Sequence, residues 1–392
     1  MKRSPPSGGR ISRVTRAVGL DLAWPFFEAH HSSVAAAAAA LCDTLQPIDH
    51  EDEDAACRAL VAAMGKAGLL TLSAPTDGPH DVRALAITRE RLAYHSGLAD
   101  FAFAMQGLGF GPVMVAGTET QKAEWGARVR GGSAIAAFAL TEPGAGSDAA
   151  RVATRATRDG SDWLIDGEKT YISNGPIADI ITLFARTSDE GARGLTAFIL
   201  PANTPGLSVA ERIAVVAPHP LARLRLDSVR LPDSARLGEV GEGFTIAMAT
   251  LNIFRVTVGA AALGLARRAL DEAIAFASQR PLGNAMLVDN AVTQDRIGTM
   301  ATRIDAAALL IARAAWAKDT QDGDHRRSAA MAKLEATEMA QQVIDSAVQL
   351  HGGLGVTVGA RVEALYREIR ALRIYEGASE VQRMIIARTL LK

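Results

Sequence analysis

The spacing of apolar residues changes twice along this chain, and that double switch constrains the fold more than any other feature. From about Trp24 to Gly132 apolar residues recur at helical intervals, as in Leu60, Val61, Met64 and Leu69, and again in Met105, Leu108, Val113 and Val115. The turn from Pro75 to Pro79, rich in Gly, Pro and Asp, separates two of these helices. From about Ser133 to Leu237 the pattern becomes short apolar or alternating runs between turn signals. Strands are expected over Ala134–Leu140, Arg151–Thr157, Trp163–Ile165, Ile180–Ala185, Leu195–Leu200, Leu207–Ala214 and Leu221–Leu231, with Asp159–Gly160 marking a tight turn. From Gly241 helical periodicity returns, first in Phe244, Met248 and Leu251, then in Ala262, Leu265 and Ala269. Further helices are expected over about Ala291–Lys318, Arg327–Leu350 and Glu376–Leu391.

Strands with no helices between them imply an antiparallel barrel or sandwich rather than a βαβ sheet. The chain is therefore read as α+β and multidomain: a basic, disordered tail over residues 1–23, a helical domain over 24–132, a β domain over 133–237 and a second helical domain over 238–392. Its 392 residues suit two or three modules at roughly 100–200 residues each.

A net charge of −1 removes any global electrostatic reason to seek nucleic acid or an anionic membrane. Two cysteines, Cys42 and Cys57, provide neither a disulfide framework nor a zinc site and suit a reducing compartment. No stretch is expected to approach the ~20 apolar residues of a membrane span. Lys2, Arg3, Arg10, Arg13 and Arg16 precede the first acid, Asp21. Prolines and glycines among them favour a disordered bacterial tail, and hence a cytoplasmic protein, over a transit peptide directing it to the mitochondrial matrix.

Four segments carry chemistry. In Leu140-Thr141-Glu142-Pro143-Gly144-Ala145-Gly146-Ser147-Asp148 glycines allow close backbone approach to a flat ligand, and Thr141 and Ser147 can hydrogen-bond its polar edge. A bulged loop capped by Ser147 or Asp148 would use the same residues. In Gly167-Glu168-Lys169-Thr170-Tyr171-Ile172-Ser173-Asn174-Gly175, Gly160 stands too far before Gly167 for a phosphate loop. Period-two alternation instead places Tyr171 and Ser173 on one strand face, an aromatic wall beside a hydroxyl; an ordinary half-buried strand reads the same way. The third segment, Gln349 to Gly359, has glycines at 352, 353, 355 and 359 but follows a helix, which rules out a dinucleotide fingerprint. A glycine-rich helix end meeting a cofactor and plain helix capping both remain open. The fourth is Tyr375-Glu376-Gly377-Ala378-Ser379-Glu380-Val381-Gln382-Arg383. There Glu376 is either a partly desolvated general base or a carboxylate stabilised by a helix N-terminus.

In this order and on this layout, the four segments resemble the acyl-CoA dehydrogenase family from about Trp24 to the C-terminus. The resemblance implies an N-terminal helical domain, a central β domain and a C-terminal four-helix domain, with FAD in the crevice between the last two. It also implies an acyl-CoA substrate, an electron-transferring flavoprotein as acceptor and a homotetramer built as a dimer of dimers. By the same resemblance Thr141 meets the flavin pyrimidine edge, Tyr171 walls the ring, Ser173 lies near N5, and Ser147 faces both cofactor and CoA chain. Arg280, Gln349 and Gly353 match positions at which a second subunit meets FAD. Arg255, Tyr375 and Gly377 border the acyl-CoA, and Ala104 matches a pocket-floor position. The family keeps its catalytic carboxylate at one of two positions; Phe254 fills one, so Glu376 is implied as the base that takes the α-proton.

Departures from the family pattern are Tyr171 and Ser173 in place of commoner Trp and Thr, the shortened Arg280-Pro281-Leu282-Gly283 to Asn290 segment, Ala217-Pro218-His219-Pro220, Val356 and Ala378. Two other readings stand beside the dehydrogenase: an acyl-CoA oxidase of the same fold that uses oxygen, and a flavin-bearing relative without catalytic function.

Overall fold

The computed structural model describes residues 18–45 and 52–391, so the basic residues from Lys2 to Arg16 lie outside it. Helices come first: α1 (Ala29–Thr44), α2 (Glu53–Lys66), α3 (Val82–His95), α4 (Gly97–Ala116) and α5 (Glu119–Arg130). Eight strands follow: β1 (Ala136–Ala139), β2 (Arg155–Asp159), β3 (Asp162–Ser173), β4 (Ile180–Arg186), β5 (Leu195–Pro201), β6 (Leu207–Arg212), β7 (Leu221–Pro232) and β8 (Arg236–Leu237). Next come α6 (Gly243–Gln279), a small hairpin of β9 (Pro281–Leu282) and β10 (Ala285–Met286), then α7 (Ala291–Asp319), α8 (His325–His351), α9 (Arg361–Leu372) and α10 (Ser379–Leu390). The helix–β–helix order read from apolar spacing is the observed one.

Local chemistry sets several boundaries. Asp52, Asn290 and Asp324 cap α2, α7 and α8 by accepting from backbone N–H groups in the first turn, and Thr118 and Gln121 form a capping box on α5. α9 falls outside the helices expected from apolar spacing. Its apolar stripe Val362, Leu365, Ile369 and Leu372 is buried, and the arginines occupy its other faces.

The chain forms two compact units, each discontinuous in sequence. Among the described residues, one holds 52–81 and 98–254, and the other 18–45, 82–97 and 255–391. In the first unit the strands run β6-β7-β3-β2-β4-β5-β8, and β1 also pairs with β4. Most pairings are antiparallel as expected, but β1–β4 and β2–β4 are parallel. Alternate residues of β4 enter different cores: Ile180 and Phe184 join Phe110, Val113 and Trp125 of α4 and α5, whereas Ile181, Leu183 and Ala185 join Trp163, Ile165 and Leu224. Burial on both faces is why β4 and β5 read as continuous apolar runs while β7 alternates.

Within the same unit Phe254 is buried against the glycines of α4, and a β-carbon on Gly107 would lie 2.5 Å from its Cε1. Gly107→Ala is therefore expected to lower stability by about 1–3 kcal/mol through overpacking, measurable as a drop in urea midpoint. An unchanged midpoint would mean that the Phe254 ring yields.

The second unit is helical and packs by small residues. Ala307, Ala312, Ala332, Ala336 and Ala340 are fully buried, and a β-carbon on Gly264 of α6 would meet the Glu90 carbonyl of α3 at 2.3 Å. Both α4 and α6 are long and apolar enough to cross a membrane, which corrects the expectation that no stretch approaches that length. Most of each is buried inside the protein, where the apolar surface serves the core.

Candidate active site

In the sheet-bearing unit, Glu142 to Ala145 closes a tight turn through reciprocal backbone bonds of 3.1 and 3.0 Å. The loop is then fastened to β3. Thr170 N–H donates to the Thr141 carbonyl at 2.9 Å, and Lys169 Nζ donates to Glu142 Oε1 at 2.7 Å and to the Leu140 carbonyl at 3.2 Å. Glu142 also accepts from the backbone N–H groups of Ala153 and Thr154 at 2.6 and 3.0 Å. Both side chains of this ion pair are buried. Burial pushes the Lys169 ammonium down to about 8 against the pull of Glu142. Burial also pushes the Glu142 carboxyl up, but Lys169 and the hydrogen bonds outweigh it and hold the group below its usual value.

β3 is not the regular strand its sequence suggests. Its pairing with β7 slips between Lys169 and Ile172, and Tyr171 adopts φ 54°. The bulge buries Lys169 and Thr170 consecutively and leaves the Tyr171 ring 63% exposed, with Ser173 half-buried two residues on. From Thr170 onward burial alternates, so Tyr171 and Ser173 share the less buried side of β3. A non-glycine residue held at positive φ costs about 1–3 kcal/mol, and such strain clusters at functional sites. Thr141 is half-buried, Ser147 is exposed, and β-carbons on Gly144 or Gly146 would meet nothing within 4 Å. An exposed aromatic ring, hydroxyls and open backbone in one unit fit a flat cofactor with a polar edge such as flavin.

In the helical unit, Glu376 lies between α9 and α10 at φ 52°, followed by Gly377 at φ 92°. Two successive left-handed residues cannot continue a helix, so α10 begins at Ser379 rather than at Glu376 as the periodicity suggested. The turn is held at several points. Lys333 Nζ of α8 donates to the Gly377 carbonyl at 2.8 Å. Gln382 Nε2 of α10 donates to the same carbonyl at 2.8 Å and to that of Glu376 at 3.3 Å. Ser379 Oγ and Arg373 Nε donate to Glu338 of α8 at 2.6 and 3.0 Å.

Two cations lie within electrostatic reach of the Glu376 carboxylate. Burial lowers the Lys333 ammonium to about 8, while Glu376, Glu338 and Glu380 raise it and Arg255 lowers it. Burial likewise lowers Arg255, and Glu376 opposes that shift. Arg255 sits well inside α6, which runs unbroken from Gly243. Glu376 is half-buried beside Tyr375 and Gly377, and Ala378 stands at the α10 N-cap position without a side-chain cap.

Arg280, Gln349 and Gly353 are exposed and belong to this same unit. Arg280 ends α6, where its N–H donates to the Phe276 carbonyl at 3.0 Å. Phe276 stacks on His351 at the end of α8 with centroids 4.3 Å apart, which brings that α6 end to the α8 end carrying Gln349 and Gly353. Gln349 accepts the Gly352 N–H through its carbonyl, so the glycine-rich stretch caps α8 as well as presenting open backbone. The candidate residues therefore fall into two sets. Thr141, Ser147, Tyr171 and Ser173 are in one unit; Arg255, Arg280, Gln349, Gly353, Tyr375, Glu376 and Gly377 are in the other.

Sequence reasoning missed Lys333 and gave no role to Lys169, Glu142 or Gln382. Lys333 did carry a signal: it interrupts the buried stripe Ala329, Ala336 and Ala340 of α8 with a charge.

Comparison with known proteins agrees with this architecture. The acyl-CoA dehydrogenase N-terminal, middle and C-terminal domain families match residues 28–133, 137–229 and 241–391. The mitochondrial short-chain specific acyl-CoA dehydrogenase of Bos taurus is 37% identical, over 85% of this chain and 82% of its own. Subunit CarC of the caffeyl-CoA reductase–Etf complex of Acetobacterium woodii is 36% identical, over 80% and 83%. Among solved structures, a glutaryl-CoA dehydrogenase from Mycobacterium smegmatis in complex with FADH2 superposes with TM-score 0.85 at 29% identity, covering 93% of this chain and 95% of that one. These matches define a three-domain flavoprotein oxidoreductase. The chain belongs to the acyl-CoA dehydrogenase family, whose members depend on FAD.

Proposed function

We propose that this chain is an FAD-dependent acyl-CoA dehydrogenase in which Glu376 removes the α-proton of an acyl-CoA thioester to form a trans-2-enoyl-CoA. One observation carries the reading: a glutamate on a strained left-handed turn, its carbonyls pinned by buried side chains and its carboxylate within reach of Arg255 and Lys333. The other carboxylate position of the family holds Phe254, which is buried against Gly107 and edge-on to His80 and cannot take a proton.

Thr141, Ser147, Tyr171 and Ser173 would hold the flavin ring, and Arg280, Gln349 and Gly353 of a second copy its adenosine side in a homotetramer. Bound FAD supplies the acceptor for the β-hydrogen, which leaves as hydride. Glu376 takes the α-proton, and its backbone N–H is the group in this chain suited to the thioester oxygen as enolate charge develops. Arg255, Tyr375 and Gly377 border the acyl-CoA. Reduction of an enoyl-CoA is the same reaction reversed, and the redox partner sets its direction. The Etf-linked relative supports an electron-transferring flavoprotein in that role.

Purified protein is expected to be yellow, to release FAD on denaturation at about one per chain, and to bleach with a member of a panel of acyl-CoA thioesters. Release of FMN, or no flavin uptake on reconstitution, would defeat the reading. Electrons should reach an electron-transferring flavoprotein or a dye much faster than oxygen; stoichiometric peroxide at a comparable rate would make the protein an oxidase.

A further inference from the structure

We propose that Lys333 and Gln382 are positioning residues for the base, two buried side chains whose hydrogen bonds to the carbonyls of Glu376 and Gly377 hold the left-handed turn that aims the carboxylate. The inference rests on the role of Glu376 given above. Its premise is conformational: a glutamate does not keep positive φ unaided, and such a residue persists only where its surroundings over-determine it. Here the over-determination has identifiable parts. Lys333 and Gln382 are fully buried, come from different helices, and converge on the Gly377 carbonyl at 2.8 Å each. Gln382 adds the Glu376 carbonyl at 3.3 Å. A β-carbon on Gly377 would lie 2.5 Å from Gln382 Nε2, so the amide fits because residue 377 is a glycine.

An ammonium is also an expensive way to fill space in a helix packed with alanines. A methionine of similar length would pack there without desolvating a charge. The charge has a counterpart in the base itself. The groups facing Lys333 are Glu376 and Glu380 on the α10 side, Arg255 on α6 and Glu338 on α8. With its ammonium lowered to about 8 by burial, Lys333 changes charge within the range in which an enzyme can be assayed. Deprotonated, it still donates to Gly377 but no longer offsets the Glu376 charge, so the base becomes a stronger proton acceptor as pH rises through about 8. Position and charge can therefore be separated experimentally.

The test compares Lys333→Met and Gln382→Leu holoenzymes with wild type. At saturating acyl-CoA, flavin reduction by Lys333→Met should fall about tenfold to a hundredfold, with acyl-CoA affinity and FAD content within about threefold of wild type. The wild-type pH profile of flavin reduction should show an ionisation near 8 that Lys333→Met lacks. Gln382→Leu should lower the rate while keeping that ionisation. A readout independent of turnover is amide hydrogen exchange over residues 374–380, which should quicken about tenfold in both variants. Rates within threefold of wild type and unchanged exchange overturn the proposal. So does loss of FAD or gross destabilisation in both variants, since the two residues would then support the fold rather than the base. Wild-type flavin that no acyl-CoA reduces would instead defeat the parent reading, and the exchange measurement would still judge the clamp.

Discussion

Replacing Glu376 with glutamine is expected to slow flavin reduction by a good acyl-CoA substrate by at least ~10²–10⁴, or about 3–5 kcal/mol of barrier, while FAD and acyl-CoA binding stay largely intact. Glutamine is nearly isosteric and keeps the backbone N–H, so the substitution isolates the proton acceptor. It also leaves the backbone strain in place, since glutamine gains nothing over glutamate at φ 52°. Hydride cannot leave the β-carbon far ahead of deprotonation without unfavourable charge building there, so losing the base should block both bond cleavages. No second carboxylate is expected to replace it: residue 254 is a buried phenylalanine, and the exposed Glu380 lies beyond the turn on α10. Stopped-flow bleaching of the flavin decides the matter. A variant reduced within about tenfold of wild type would place the base elsewhere and end this mechanism.

The second large effect concerns stability. Lys169→Met should lower the unfolding free energy by about 3–5 kcal/mol near neutral pH, because it strands the Glu142 carboxylate in a buried site without its counterion. Pairing the change with Glu142→Gln should recover much of the loss, since no charge then remains buried. In wild type the Glu142 carboxyl is held below its ordinary value. Its contribution is therefore present above the unfolded carboxyl pKa and lost as pH falls through the lower, folded one. Lys169 has a folded pKa of about 8 against an ordinary 10.5, so its contribution is present above 10.5 and lost as pH falls through about 8. In Lys169→Met the remaining carboxyl suffers desolvation without a partner, and protonation relieves it. The gap between variant and wild type should accordingly narrow as pH drops from 7 toward 4. Urea titrations across that range test this, and a neutral-pH loss under about 1 kcal/mol would show that water or relaxation replaces the ammonium. The pair also fastens the loop bearing Thr141 and Ser147 to β3, so weaker FAD retention should accompany the loss.

These two experiments fall on residues that differ in how visible they were. Glu376 stands out in the sequence because it sits beside a glycine and within a motif. The Lys169–Glu142 pair joins two quoted motifs, but their 27-residue separation hides the contact. Lys333 lies 44 residues from the Gly377 carbonyl it holds, and only its intrusion into an alanine stripe marks it.

The sequence alone determined the order of helical and β zones, because the period of apolar residues reports directly which face of a local segment is buried. It determined the Asp159–Gly160 turn, which pairs Asp159 with Asp162 across Gly160 at φ 61°, since that turn needs only a residue tolerant of positive φ. It also determined that position 254 carries no proton acceptor. Tertiary structure decided where the backbone leaves its regular path. The bulge at Tyr171 and the left-handed turn at Glu376 put non-glycine residues at positive φ, against their intrinsic preference, and distant partners must over-determine such conformations. It also decided that α6 runs unbroken past Phe254 to Arg255 and that Lys333 turns inward. Packing and buried charge depend on which helices meet, and periodicity shows only that a helix has a buried face, not what that face will touch.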